Sequence, residues 1–350
     1  MKYYLKDSFL SNEYEKNAGN KARNDVEAIL VSEGYKGLEL KVENWYKMNF
    51  FKAQQHKYRA TKSVFDQLGA GDELVIQFPI IHHTFFISQL IKQAQNRGVK
   101  FYLVIHDIET LRHVGNSAVK LRHKVRNYFQ EKAALTSVDG IIVHNDIMKN
   151  ALTIQGIPSD KMVSLEIFDY LIPNFEEKSV PQKEEAIIIA GNLIPTKSGY
   201  LYNLPEQPAY NLYGMGYDES RALKNTTYFG SFMPDDLPNA LQGSFGLVWD
   251  GDSSETCQGS FGNYLRINNS HKASLYLASG FPLVVWKESA LAHFVLDKQC
   301  GIAIDSLHDL QKALDDLTDQ DYMKLSANAR QVGAAIRSGE YLKSAISKLK

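Results

Sequence analysis

The chain has 350 residues, of which 44 % are hydrophobic and 23 % charged, which suits about two globular domains and not a disordered polymer. Its formal net charge of -1 argues against the strongly basic surface that nucleic-acid binding uses. The two cysteines, Cys257 and Cys300, have no cysteine nearby, which argues against a disulfide framework and a zinc site and suits a reducing cytoplasm.

The first ten residues, MKYYLKDSFL, lack the long apolar run of a secretory signal. The longest apolar runs, such as residues 281–286, fall far short of the roughly 20 residues that span a bilayer. A cytoplasmic protein is expected, with peripheral contact at the inner face of the membrane left open.

Short apolar runs at residues 1–5, 38–40, 74–79, 101–106 and 141–144 read as buried strands. Helical patterns lie between them at residues 25–34, 51–68, 86–97 and 119–135. Such alternation implies a mostly parallel sheet covered by helices. Pro173, Pro181 and the charged residues 176–178 and 183–185 then form a polar linker. The alternation resumes with strands at 186–190, 210–213, 227–229, 245–250, 282–286 and 301–305. Helices are predicted at 270–278 and 288–296, and the pattern stays helical beyond Leu307. The fold class is therefore α/β, with two Rossmann-like domains at 1–175 and 176–330. A final helical segment, 331–350, is expected to pack back on the first domain.

Open parallel sheets bind ligands at the carboxyl ends of their strands. After the strand at 186–190 come Gly191 and Asn192, then Lys197. A glycine there lets backbone approach a ligand, and a lysine can neutralise phosphate. An ordinary turn has the same composition. The stretch 210–217 ends in Gly214-Met215-Gly216, but Glu219 stands where a dinucleotide motif needs its third glycine. Residues 246–287 read as strand, glycine-rich loop, helix, tight turn and strand. Asn263, Tyr264, Asn268, Ser270, His271, Lys272 and Ser274 converge at the loop–helix junction, where main-chain N–H groups and Lys272 suit an anion. Asn268 or Ser270 also suits a helix cap. Asp250-Gly251-Asp252 has the spacing of a metal–diphosphate motif. It falls in the second α/β unit, however, where the single-domain architecture that uses that motif would place it near residue 100. No metal is expected.

The order W-D-G, then G-N-Y-L-R-x-N-x-x-H-K-x-S-L-Y-L-A-S-G-x-P, over residues 249–287 resembles bacterial GT-B β-1,6-galactofuranosyltransferases. It also resembles the related glucosyltransferases that extend O-linked GlcNAc on serine-rich adhesins. Residues 18–22, His106-Asp107 with Leu111-Arg112, and residues 168–171 add to a resemblance spanning nearly the whole chain. It implies a GT-B enzyme that needs no metal or other cofactor. The donor, a UDP-sugar, would lie on the C-terminal domain. It places Lys272 and Asn268 at the diphosphate, Gly191, Asn192 and Lys197 at the nucleotide, and Tyr217 beside the uracil or ribose. It also implies a homo-oligomer.

Inverting transfer needs a general base from the facing domain. Asp107 at a strand end is the first candidate and His106 the second, although a His-Asp pair there also suits a helix cap. Gly19, Asn20 and Lys21 follow the first strand and are candidates for the acceptor pocket, or for a plain helix start. The basic run 120–126, Lys-Leu-Arg-His-Lys-Val-Arg, suits a solvated helix face or contact with anionic lipid or a glycolipid acceptor. The acceptor is expected to be a glycan, glycoprotein or glycolipid. A non-hydrolysing UDP-sugar epimerase and a non-catalytic sugar-binding subunit are the alternatives, since fold alone does not separate them.

Overall fold

The computed structural model of the protein describes residues 1–7, 18–42, 45–80, 82, 84–112 and 121–349, without the side chains of residues 18, 19 and 121–127. The first half runs β1 (Lys2–Lys6), α1 (Ala18–Ser32), β2 (Lys36–Glu39), α2 (Phe50–Phe65), β3 (Glu73–Phe78) and α3 (Ile87–Gln95). It continues with β4 (Lys100–Ile105), α4 (Glu109–Arg112), α5 (Leu121–Ser137), β5 (Gly140–Val143), α6 (Asp146–Ile154) and β6 (Met162–Ser164). The second half runs β7 (Ile187–Asn192), α7 (Pro195–Ser198), β8 (Tyr210–Met215), β9 (Thr226–Tyr228), α8 (Leu237–Ala240) and β10 (Gly246–Val248). Then come α9 (Gly259–Tyr264), α10 (His271–Ala278), β11 (Leu283–Trp286), α11 (Ala290–Asp297), β12 (Gly301–Ile304), α12 (Leu310–Asp315), α13 (Asp319–Arg337) and α14 (Glu340–Lys348).

The strands form two six-stranded sheets, ordered β2-β1-β3-β4-β5-β6 and β12-β11-β10-β7-β8-β9, with parallel pairing throughout. Central strands are buried on both faces, so they read as continuous apolar runs such as Ile187, Ile188 and Ile189. In the first half, Val64, Phe65, Leu90, Ile91 and Leu135 pack on one face of the sheet. On the other face, Val26, Ile29 and Leu30 of α1 share a cluster with Leu342, Ala345 and Ile346 of α14. The chain thus ends on the half where it began. Asp169 accepts hydrogen bonds from the Tyr341 and Leu342 N–H groups, at 3.3 and 2.8 Å, and so caps the first turn of α14.

The short helices α4, α7, α8 and α9, helix α6 and strand β6 lie outside the sequence expectation. Helix α6 follows β5 directly, capped by Asn145, whose side chain accepts from the Met148 N–H. It buries only Met148 and Leu152, too little periodicity to stand out. Strand β6 is the three residues Met-Val-Ser, and it forms because β5 offers it an edge. Residues 165–186 carry no helix or strand, as their proline and charge content implies. They are held nonetheless. The Lys178 ammonium donates to the Pro238, Asn239 and Leu241 carbonyls, and Arg330 grips Glu177 and the Lys178 carbonyl.

Candidate active site

In each sheet the strand order reverses once, and there the connections diverge and leave a crevice. In the second sheet the reversal falls between β7 and β10. Gly191 ends β7 in a left-handed conformation, φ 131°, and the Lys272 side chain from α10 crosses directly over it. The Lys272 ammonium donates to the Trp249 carbonyl at 2.9 Å and to Asp250 at 2.8 Å, just beyond β10. Lys272 thus sits on the crevice of the second sheet. On the neighbouring strand β8, Gly214 is paired with Gly191, and a Cβ on it would lie 1.8 Å from the Gly191 carbonyl oxygen. Side-chain-free backbone on both strands keeps this floor flat and open.

The two halves enclose a cleft of about 680 Å³ over this crevice. Its charged lining consists of Arg23, Arg112, Lys197 and Lys272 against Asp107 and Asp250, an excess of two positive charges. Lys197 follows β7 and lies over the Phe261 ring, 5.5 Å from its centroid. Asp250 raises the Lys197 pKa, but burial and the cations Lys272 and Arg112 outweigh it and hold it below the ordinary lysine value. Asn268 presents a buried side-chain oxygen with no partner. Ser270 stands at the N-cap of α10, one of the two positions that the sequence allowed, but its side chain makes no bond to the helix.

The facing wall comes from the first half and the linker. His106 ends β4 with Nε2 bonded to the Gln77 amide oxygen at 2.7 Å, and its ring stacks on Phe168 at 5.7 Å. Burial, helped by Arg23, His144 and His271, pushes its pKa well down, so the imidazole is neutral at pH 7. With Nε2–H donating to Gln77, Nδ1 is the basic nitrogen. Asp107 pairs with Arg112 at 2.5 Å, and its second oxygen is buried without a partner. Burial raises the Asp107 pKa, while Arg112 and the Tyr264 hydroxyl pull it back. Arg112 in turn lies 5.6 Å from the centroid of the Tyr264 ring, contributed by the opposite half.

The cleft therefore gathers His106, Asp107, Gly191, Asn192, Lys197, Tyr264, Asn268 and Lys272, residues up to 166 positions apart in sequence. Tyr217 and Asn263 are not in its lining. Tyr217 stacks on Tyr202 at 5.7 Å, and Asn263 is exposed. Gly19 and Asn20 lie in the first turn of α1, with Asn20 exposed. Lys21 is buried and fully engaged, with Asp25 at 2.8 Å, the Leu171 carbonyl at 2.6 Å and Asp235 of the other half at 2.7 Å. Its neighbours Ala22 and Arg23 line the cleft instead. Arg23 carried no motif; its one signal is a cation in a helix directly after the first strand. His271 also lines the cleft, with its pKa lowered to about 4 by burial and by Lys21. Asp250 is buried and bonded to Lys272, whereas Asp252 is exposed. Lys120 of the basic run lies outside the described residues, as do the side chains of the rest of that run.

Two family profiles cover nearly all of the chain. The glucosyltransferase 3-like N-terminal domain matches residues 3–167, and the glucosyltransferase 3-like C-terminal domain matches residues 187–349. The β-1,6-galactofuranosyltransferase WbbI of Escherichia coli (strain K12) is 34 % identical over 284 residues, 79 % of this chain and 79 % of its own. Glucosyltransferase 3 of Streptococcus gordonii is 22 % identical over 325 residues, 92 % of this chain and 91 % of its own. The structure of HepE from Anabaena, solved in complex with UDP and glucose, has the same fold, with a TM-score of 0.58 at 11 % identity over 99 % of each chain. The chain therefore belongs to the glucosyltransferase 3-like family and is a glycosyltransferase with the GT-B fold.

Proposed function

We propose that the enzyme transfers a hexose, such as glucose, GlcNAc or galactofuranose, from a UDP-sugar to a hydroxyl of a glycan or glycoprotein, with inversion and without a metal. The observation that carries this reading is the excess of two positive charges around the β7/β10 crevice. A nucleoside diphosphate sugar carries two negative charges on its diphosphate, so the lining neutralises it. Lys272, Lys197 and Arg112 meet the diphosphate, and the Gly191 backbone and Asn192 hold the nucleotide. The Asn268 oxygen, which has no partner in the protein, accepts from a sugar hydroxyl.

Asp107 serves as base. The acceptor oxygen attacks the anomeric carbon, the bond to the β-phosphate breaks, and UDP leaves with that electron pair while the acceptor proton passes to Asp107. Burial makes this carboxylate more basic than usual, which favours proton uptake, and Arg112 fixes its orientation. His106, neutral and held by Gln77, positions the acceptor. The buried free thiols Cys257 and Cys300 fit work in a reducing cytoplasm.

The test is UDP release across a panel of UDP-sugars, with and without glycan and GlcNAc-peptide acceptors. Acceptor-dependent release supports the transferase, and release of an altered UDP-sugar without acceptor would instead identify an epimerase. Asp107→Asn is expected to keep UDP affinity and lower turnover by about 10²-fold or more. Unchanged turnover in that variant removes Asp107 from the role.

A further inference from the structure

Away from the cleft, the outer corner of the first half has an unusual surface. From residue 45 to residue 65 the sequence holds Lys47, Lys52, Lys57, Arg59 and Lys62 and no Asp or Glu. Helix α3 adds Lys92 and again no carboxylate. The whole chain has a formal charge of -1, so outside these six cations it carries a net -7. Lys57 is buried against the Trp45 ring and Lys62 pairs with Asp66 at the end of α2, which leaves Lys47, Lys52, Arg59 and Lys92 as the exposed cations of this corner of an otherwise acidic protein.

The same corner exposes aromatic rings. Tyr46 is 67 % exposed, Phe50 54 %, Phe51 83 % and Phe86 53 %. Phe50 and Phe51 group with Phe85, Phe86 follows Phe85 in the chain, and Tyr46 packs on Trp45 ahead of α2. Phe50 meets Phe51 at 5.6 Å and Phe85 at 5.4 Å, and Phe86 meets Tyr58 at 5.9 Å. Lys47, Lys52 and Arg59 are exposed beside them. Large exposed rings cost solubility, and a contiguous group of them marks a contact surface. The helices α2 and α3 begin beyond the carboxyl ends of β2 and β3, and Pro79, which follows β3, lines the cleft. The aromatic corner thus flanks the acceptor-side rim.

We propose that this corner docks on an anionic bilayer surface, with Tyr46, Phe50, Phe51 and Phe86 at the headgroup level and Lys47, Lys52 and Arg59 on the lipid phosphates. Exposed aromatic rings interleaved with unpaired surface cations are the composition that interfacial binding uses. A second copy of the chain fits poorly, because a symmetric contact would set the same cations face to face. No helix among the described residues is long and apolar enough to cross a membrane, so the contact is peripheral. Docking here turns the acceptor-side rim of the cleft toward the lipid surface.

The test is co-sedimentation of the full chain with phosphatidylcholine vesicles, with and without about one-third phosphatidylglycerol. The wild-type chain is expected to sediment with the anionic vesicles and not with the neutral ones, and to be released in part by about 0.5 M NaCl. Phe50→Ser with Phe51→Ser, and separately Lys47→Glu with Lys52→Glu, are each expected to lower the bound fraction at least about fivefold. Both double variants should bind UDP as the wild type does, which shows that they fold. Equal binding to neutral vesicles, no binding to either, or wild-type binding by the charge-reversed variant overturns the proposal. So does a change from dimer to monomer in the Phe50→Ser, Phe51→Ser variant without any vesicle binding by the wild type, which would make the corner an interface between copies.

Discussion

Lys272 is the residue around which the second sheet's crevice is arranged, and its ammonium is shared between the Trp249 carbonyl and the Asp250 carboxylate. Removing it does two separable things. It takes away the proposed phosphate partner, and it leaves the buried Asp250 without its bonded cation, facing only the longer-range charge of Lys197. Lys272→Ala is therefore expected to weaken UDP binding at least about tenfold and to lower stability by about 3 kcal/mol. Adding Asp250→Asn should restore most of the stability and none of the affinity. Calorimetric titration with UDP and urea unfolding read the two effects apart, and full recovery of affinity in the double variant would show that Lys272 does not touch the donor. A second residue controls pH behaviour. Burial raises the Asp169 pKa from 3.8 to about 7, against the opposing pull of the Leu342 and Tyr341 N–H groups. Its folded pKa is higher than its unfolded one, so the stabilising contribution is complete below about pH 4 and is lost as pH rises through about 7. That loss is on the order of 4 kcal/mol. Asp169→Asn keeps an acceptor for the helix and cannot ionise. The stability difference between variant and wild type should move in the variant's favour between about pH 4 and pH 8, and a constant difference would refute the assignment.

The element that ties the second half to the first is the loop between α9 and α10. Asn269 donates from its side chain to the His144 carbonyl at 2.9 Å and the Glu166 carbonyl at 2.6 Å, and from its main chain to His144 Nδ1 at 3.1 Å. Asn145 donates to the Asn269 side-chain oxygen at 2.7 Å and to the Ile267 carbonyl at 2.9 Å. The loop that leads into α10 and Lys272 is thus anchored on the end of β5 in the other half. Asn269→Ala strips the side-chain bonds and takes this donor from the buried His144 carbonyl and the partly buried Glu166 carbonyl, a cost of about 3 kcal/mol. It should also weaken UDP binding severalfold, although Asn269 needs no contact with the nucleotide for this to happen. Unchanged UDP affinity with lowered stability would confine the loop's anchor to a structural role. This anchoring was not legible in the sequence, where Asn269 is one more polar residue in a polar loop. The helix after it was legible, because α10 is bounded by the Ser279-Gly280 turn and leads into the apolar β11. Helix α6 and strand β6 were not, since one buries only two side chains and the other depends on an edge provided by β5.

Across the whole molecule, α14 returns the chain to its starting half, burying Leu342, Ala345 and Ile346 against α1. Ending the chain at Ser338 would expose that apolar seam and remove a physical link between the halves. The truncated protein is expected to lose about 4 kcal/mol or more of stability and to expose surface that binds a hydrophobic dye. An unchanged urea midpoint would show that the halves are held by the linker and the cleft contacts alone. Two α/β units, their linker and the helical end could all be read along the chain, because hydrophobic periodicity and proline are local signals. The ordered motif of residues 249–287 similarly pointed to a transferase, since it needs no knowledge of what lies opposite. Pairing across the cleft is a different kind of fact. Asp250 and Lys272 are 22 residues apart and Asp107 and Tyr264 are 157 apart. Nothing in the spacing says that Asp250 neutralises a lysine, that Lys21 bridges to Asp235 outside the cleft lining, or that Arg23 joins that lining. Those roles were assigned by the packing of two sheets that each fold on their own pattern and bring distant charges within bonding distance when they meet.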